Sequence, residues 1–365
     1  MIHMNEFKDE PEDLLAAQAR AAERVIRSGW YILGNELKRF EKAFADWTGL
    51  PHMAGVGNGM DAIEIGLRAA GIGPGDEVIT TPMTAFATVL AIYRSGATPV
   101  LADIDSDTAL LDLASVDRCV TKRTKGVLLV HLYGRVPDMD AWRGFCLDRG
   151  IRLFEDCAQA HGARWKGEHA GTFGAFGAFS FYPTKNLGAI GDGGALGTTS
   201  ADMDAKARVL RNYGQSVRYH HEEIGLNSRL DELQAAILAE RLLWLDRFIE
   251  RRRQIAARYD QELRNSLIRP LTPPPEKENH AYHLYVVRCG QRDRLSAHLK
   301  ERGVETLIHY PVPAHRQKPT LDIRRDPKGL TAAERHGDTC LSLPCHPQMS
   351  DEDVTAVIEG VNSFV

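Results

Sequence analysis

The sequence has little of what would place it across a membrane or outside a cell. No apolar run approaches the ~18 residues that a membrane helix needs. The opening stretch MIHMNEFKDEPEDL is polar and acidic and holds no apolar signal core, so export is not expected. Cysteine is sparse: six residues are scattered through 365, with no C-x-x-C pair. That spacing gives neither a disulfide framework nor a zinc site, and it suits the reducing cytoplasm, where the protein is expected to reside. Positive charge is not in excess either. The formal net charge of −4 argues against a nucleic-acid partner. The one basic cluster, ERRRQ at 250–254, falls within a helical pattern and reads as a solvated helix face. Internal repeats and low-complexity tracts are absent.

What is present is ordinary globular composition, 43% hydrophobic and 26% charged, in a chain long enough for two domains. From residue 50 onward the pattern alternates. AIEIGLRAAG (62–71) has helical spacing, DEVITT is a short strand, and AFATVLAIYRSG is a helix closed by Gly96. TPVLADID and KGVLLVHLYG follow as strands, MDAWRGFCLDRG as a helix, and IRLFEDCAQ and GAFGAFSFYP as further strands. Strands apolar on both faces, separated by helices, predict a parallel or mixed sheet covered on both sides. Such sheets bind ligands beyond the carboxyl ends of their strands. One long helix is predicted over 230–265, ended by the proline cluster of SLIRPLTPPPEKEN. After it HAYHLYVVRC reads as a strand, DRLSAHLKERG as a helix, VETLIHY as a strand, and SDEDVTAVIEGV as a helix with Ser350 at its N-cap. The expected organisation is a large α/β domain over 1–250 and a smaller α+β domain over 251–365.

Three stretches carry chemistry. GVGNGMDAIEIGL (55–67) is a glycine-rich turn opening a helix, which is an anion site by virtue of its free N–H groups and dipole. It does not read as a dinucleotide site. Its spacing is G-x-G-x-G, and DEVITT ends in threonines where a ribose-binding acid is wanted. LFEDCAQAHGA (153–163) places Glu155 and Asp156 directly after an apolar strand, which is costly unless they hold something positive. FYPTKNLGAIGDGG (181–194) sets Lys185 among glycines, where a flat phosphorylated group can lie against the backbone. Singly, each stretch has a bland reading as a tight turn, a pair of solvated acids or a surface lysine. Together they supply what a pyridoxal phosphate enzyme needs: a phosphate cradle, a carboxylate for the pyridine nitrogen and an imine-forming lysine. Clustered histidines in RYHHEE and HAYH lack acids or cysteines at ligand spacing, so no metal is expected. His131 and His161 read as strand-end residues near the cofactor.

Across almost its whole length the chain resembles the DegT-type sugar aminotransferases. The resemblance rests on SGWYILGNELKRFEKAFADWTG, GNGMDAIEIGLRAAGIGPGDEVITT, VHLYG, EDCAQAHGA, FSFYPTKNLGAIGDGGAL, LRNYGQ, GLNSRLDELQAAIL, YHLYVVR, IHYPVP and LSLPCHP. It implies the fold of the aspartate aminotransferase superfamily, PLP-dependent transferase fold type I. This has a large domain with a mostly parallel sheet covered by helices, and a smaller α+β C-terminal domain. It further implies pyridoxal 5′-phosphate as cofactor, passing through the pyridoxamine phosphate form. Lys185 would be the Schiff-base lysine and proton carrier, with Asp156 on the pyridinium nitrogen and Gln159 on the ring or its hydroxyl. The phosphate would be held by the backbone of Gly59 and Met60, by the Ser180 hydroxyl, and by Asn227 from the neighbouring subunit of a homodimer. Tyr31, His309 and Tyr310 are the candidate substrate contacts. One departure stands out. Where the family has an aromatic directly after the threonine of its T-aromatic-x-A-T segment, this chain reads MTAFAT, with Ala85 there and Phe86 one later. A one-residue change alters direction, so Phe86 is the stacking candidate and the point stays open.

The activity implied is transfer of an amino group, usually from L-glutamate, to a nucleotide-linked 3-keto or 4-keto deoxysugar, with the 3-position favoured. Three other readings stand beside it. An aminocyclitol aminotransferase would use the same residues. A PMP-dependent dehydratase carries histidine where this chain has Lys185. A PLP-binding regulatory protein without turnover would keep the fold alone.

Overall fold

A computed structural model describes residues 1–365. Two amphipathic helices, α1 (Glu12–Ser28) and α2 (Asn35–Thr48), come first, each closed by a left-handed glycine, Gly29 and Gly49. The chain then alternates through β1 (His52–Val56), α3 (Gly59–Ala69), β2 (Glu77–Thr80), α4 (Phe86–Arg94) and β3 (Thr98–Leu101). It continues through α5 (Leu113–Cys119), β4 (Thr124–Val130), α6 (Met139–Asp148) and β5 (Arg152–Asp156). A two-residue-per-strand hairpin, β6 (Arg164–Trp165) and β7 (Glu168–His169), precedes β8 (Gly177–Ser180), β9 (Gly194–Thr198) and α7 (Ala201–Leu210). Local chemistry sets several helix starts: Asn58, Asp112, Asp138 and Ser200 each accept a backbone N–H of the first turn from α3, α5, α6 and α7.

Seven strands form one sheet in the order β1-β9-β8-β5-β4-β2-β3. The β3, β2, β4, β5 and β8 strands run parallel, whereas β9 is antiparallel to both of its neighbours. The expected mixed sheet with apolar strands is therefore present, and buried side chains pack on both of its faces. Glu41 of α2 pins β1 from behind. It accepts from the Gly55 N–H at 2.8 Å and from Arg211 at 2.6 Å, with Arg208 at 2.8 Å on its other oxygen. All of this lies beneath the turn that leads into α3.

Beyond the sheet come a hairpin, β10 (Gln215–Val217) and β11 (His220–His221), and then α8 (Glu232–Leu242) and α9 (Leu245–Glu262). The single helix predicted over 230–265 is thus two. Its apolar spacing runs unbroken through Leu242, Leu243, Trp244 and Leu245, so no residue announces the break. The C-terminal part holds a three-stranded antiparallel sheet, β12 (Ile268–Pro270), β13 (Tyr285–Cys289) and β14 (Cys340–Leu343). It is accompanied by α10 (Arg292–Glu301), α11 (Thr331–Thr339) and α12 (Asp351–Asn362). Ser350 caps α12 in a reciprocal capping box with Asp353, as its position in the sequence predicts. VETLIHY, expected as a strand, makes only isolated bridges at Val304 and Leu307. Its chain instead turns to bring His309 and Tyr310 inward. A core of 20 buried residues between Ile255 and Phe364 belongs to this part alone. A second cluster, including Met83, Val130, Tyr133, Leu284 and Val286, joins it to the large sheet. The N-terminal segment ties both together. Ile2 bridges Val304, and Glu10 pairs with Arg241 of α8 at 2.7 Å.

Candidate active site

The site lies at the carboxyl ends of the parallel strands, as the pattern predicts for such a sheet. Asn58 accepts the Asp61 N–H at 2.9 Å and so caps α3, leaving the N–H groups of Gly59 and Met60 without an acceptor in the protein. Ser180, at the end of β8, stands against that turn. A Cβ at Gly59 would fall 2.6 Å from the Ser180 Cβ. From the other side Gly194 of β9 abuts the same turn, and a Cβ there would sit 2.4 Å from the Asn58 carbonyl carbon. Backbone cannot yield at such distances. Gly194→Ala is therefore expected to push the start of α3 out of place and weaken binding of a phosphorylated ligand by about tenfold or more, measured by cofactor titration of the purified protein.

Asp156 ends β5, is buried, and is held from two directions. The Thr88 hydroxyl donates to Oδ2 at 2.8 Å, and the Ala158 N–H donates to Oδ1 at 3.1 Å. The Thr88 hydroxyl in turn lies 2.7 Å from that of Thr84, just before α4. Neither threonine was singled out in the sequence, although MTAFAT places them four apart across the start of α4. The neighbouring acid plays another part. Glu155 accepts from the N–H groups of Gly171, Phe173 and Gly174 and pairs with His131 at 2.8 Å, so it fixes a loop beneath the sheet. Both acids are buried rather than solvated.

Lys185 lies in the loop between β8 and β9. Its ammonium makes no hydrogen bond and no ion pair within the protein. Burial lowers its pKa from the ordinary lysine value, while the charge of Asp156 opposes that shift. Around it stand imidazoles held neutral by burial. His161 is pushed down to about 3 and His309 to about 4, and His283 falls well below its usual value, each also repelled by Lys185. His161 packs against Phe44, Phe179 and Phe181, and both of its ring nitrogens lack partners.

Gln159 bridges the site to the C-terminal part. Its Oε1 accepts from the Tyr133 N–H at 2.6 Å, and its Nε2 donates to the Tyr310 hydroxyl at 3.3 Å. Burial, with Asp156 nearby, pushes the Tyr310 phenol up to about 12, so it stays protonated. The Tyr133 hydroxyl donates to the His309 carbonyl at 2.5 Å, and His309 Nδ1 lies 2.8 Å from the Ser342 hydroxyl. Tyr133, inside VHLYG, was not read as a site residue. Nothing in its local pattern points to contacts 26 and 176 residues away.

The remaining candidates fall at the edges. Phe86 is the first residue of α4, half-buried and packed against the shared cluster that includes Met83 and Val89. Asn227 is exposed and bridged to Asn212, and Tyr31 is 55% exposed beside the start of α8, where its carbonyl accepts the Glu232 N–H; no hydrogen bond links either to Lys185, Asp156 or Ser180. The structure also brings together the ligating atoms of His131, Glu155 and Cys157, within 4.8 Å of one another. Glu155 is already saturated by four donors, and burial pushes the Cys157 thiol well up and keeps it protonated, so the trio is structural.

These residues fit the cofactor that the sequence resemblance implies. Free N–H groups at a helix start and a hydroxyl suit a phosphate, a buried carboxylate suits the ring nitrogen, and an unpaired lysine completes the set.

A family model described as the DegT/DnrJ/EryC1/StrS aminotransferase family matches residues 13–362. The chain is 41% identical over 365 residues to a pleiotropic regulatory protein of Geobacillus stearothermophilus, covering 100% of this chain and 98% of that one. It is 44% identical over 356 residues to the dTDP-3-amino-3,4,6-trideoxy-alpha-D-glucose transaminase of Streptomyces venezuelae, covering 97% and 93%. The crystal structure of S. venezuelae DesV in complex with a ketimine intermediate superposes with a TM-score of 0.94 at 42% identity, over 99% of this chain and 97% of that one. That of NtdA from Bacillus subtilis with bound cofactor PMP gives 0.88 at 30% identity, over 96% and 82%.

Proposed function

The chain belongs to the DegT/DnrJ/EryC1/StrS aminotransferase family, and from that premise we propose that it moves an amino group from L-glutamate to carbon 3 of a nucleotide-linked ketosugar. It is a pyridoxal phosphate-dependent transaminase acting in nucleotide amino-sugar formation. The single observation that carries the reading is the unpaired, half-buried Lys185 set between the α3 cradle and the Asp156 carboxylate. The 3-amino product of the S. venezuelae relative supports the choice of carbon.

When bound, pyridoxal phosphate supplies the carbonyl that carries the amino group and the ring that takes up electrons. The N–H groups of Gly59 and Met60 and the Ser180 hydroxyl would hold its phosphate. Asp156, oriented by Thr88 and the Ala158 N–H, holds a proton at the ring nitrogen. Gln159 would contact the ring or its hydroxyl and is itself oriented by the Tyr133 N–H. Lys185, favoured as the neutral amine by burial, takes and returns the substrate proton at Nζ. The neutral His161, His283 and His309 add no positive charge beside it and help to exclude water. His309 and Tyr310 are the candidates to contact the sugar, and Phe86 is the candidate to lie against the ring.

Thr88 is a positioning residue in this scheme. Thr88→Val is expected to slow the glutamate half reaction by about 10-fold to 100-fold, the worth of one hydrogen bond to a charged group. Thr88→Ser should restore most of that rate, whereas a purely packing role would favour valine. Stopped-flow absorbance of the bound cofactor on mixing with glutamate reads both.

Two chains make the complete site in this reading. The segment bearing Asn227 leaves Val217, Tyr219 and Ile224 at 64%, 76% and 88% exposed, more apolar surface than a lone subunit favours. Subunits of Asn227→Ala and Lys185→Ala, inactive apart, should regain activity when mixed under exchange conditions, because one site of each hybrid is intact. The six cysteines are all buried free thiols, which accords with a cytoplasmic location. No helix is long and apolar enough to cross a membrane.

The test is direct. Purified protein with pyridoxal phosphate should show a visible band that bleaches on adding glutamate. Incubation with a panel of nucleotide 3-keto and 4-keto sugars, followed by NMR of the products, should then place the new amine at carbon 3. A band unmoved by glutamate would refute the donor, and amination at carbon 4 would refute the position.

A further inference from the structure

Away from the cofactor residues, on the C-terminal part, a cleft of about 350 Å³ opens between β12, β13, α11 and the turn at Ser106–Asp107. That is room for a small ligand. Three arginines line it: Arg269 from β12, Arg288 from β13 and Arg335 from α11. Its only acid is Asp107, 3.8 Å from Arg288. Neither Arg269 nor Arg335 has a carboxylate within ion-pair distance, in a protein whose net charge is −4.

The register makes this arrangement pointed. Arg269 and Arg288 are direct cross-strand partners, so both side chains leave the same face of the sheet side by side. Like charges placed that way oppose strand pairing unless something negative sits between them. Arg288 also keeps a buried Nε without any acceptor, although its other nitrogens reach the Ser106 carbonyl and Asp107. The floor is His336, whose Nε2 is taken up by the Tyr133 hydroxyl at 2.8 Å. Burial holds it neutral, so the positive charge of the cleft comes from the arginines alone.

We propose that this cleft is a second anion site, taking the phosphoryl group of a ligand other than the cofactor. Planar guanidinium forks converging on one space match phosphoryl oxygens in geometry and charge. The space is larger than one phosphate fills, so a diphosphate is favoured over a monophosphate.

Calorimetric titration of the holoenzyme with inorganic pyrophosphate at low ionic strength tests this. One pyrophosphate should bind per chain, more tightly than inorganic phosphate. Binding should weaken at least about tenfold in Arg335→Gln and in Arg269→Gln, the loss of one charge-assisted contact. Both side chains are exposed and unpaired, so neither variant should lose Tm in anion-free buffer. Pyrophosphate should raise the Tm of the wild type by more than that of either variant. Pyrophosphate binding of equal strength in all three proteins would place the anion at the catalytic site and overturn the proposal, as would no binding at millimolar concentration. Neither result would touch the transaminase reading, which the visible band reports separately.

Discussion

Lys185→Met should abolish amino transfer and at the same time make the cofactor-free protein more stable. The loss is expected to be at least about 10³-fold in kcat, because the side chain both bonds the cofactor and carries the proton. The gain in stability follows from the same burial. In the folded chain the amine has no partner, and its pKa lies below the ordinary value. Between that lowered value and the ~10.4 of a free lysine, the unfolded chain binds more protons than the folded one. Stability contributed through this group therefore rises with pH across that window, and the penalty is largest below it. Methionine removes this half-buried, unpaired charge, so the cofactor-free variant should melt slightly higher at neutral pH, and its Tm should lose that part of the pH dependence. Thermal melts of both proteins after cofactor removal, run from neutral pH to pH 10, decide the point. A surface lysine would change neither activity nor stability.

Asp156→Asn should cost about 10²-fold to 10³-fold in kcat, the scale of a single preorganised electrostatic contact. The loss should appear in both half reactions alike, since the carboxylate acts on the cofactor and not on either substrate. KM for glutamate should move little. Cofactor affinity should also survive largely intact, because the N–H groups of Gly59 and Met60 and the Ser180 hydroxyl lie on other elements. Asp156→Glu is not expected to rescue. The carboxylate sits at the end of a buried strand, between the Thr88 hydroxyl and the Ala158 N–H, and an added methylene displaces it from both. Single-turnover kinetics of each half reaction, with spectra of the bound cofactor, separate these outcomes.

The sheet was legible because its signal is local. VLLV of β4 and LF of β5 are apolar on successive residues, so burial on both faces shows in the order of residues alone. The Ser350 cap likewise needs only four positions to declare itself. Breaks without a marker were not legible. Nothing between Leu242 and Leu245 interrupts helical spacing, yet α8 ends there, and VETLIHY alternates as a strand does without finding a strand to pair along its length. The candidate cradle, acid and lysine could be picked out because each is a short local motif: the turn after β1, the end of β5 and the loop after β8. What supports them was not. Thr88 meets Asp156 across 68 residues, and Tyr133 meets Gln159 and His309 across 26 and 176. Contacts of that kind are set by strand order, which residue spacing does not encode. Glu155 shows the converse: its acidity suggested a bound cation, and the structure satisfies it with three backbone N–H groups and an imidazole.

The cradle, the acid and the lysine stand on separate stretches of backbone: the start of α3, the end of β5, and a loop between two antiparallel strands. Their independence makes the fold modular. In the proposed scheme, exchanging the lysine leaves the start of α3 and the end of β5 untouched, so one substitution would leave a protein that binds the cofactor without turning over substrate. A scaffold built this way can diverge between metabolism and signalling without first having to relearn how to fold.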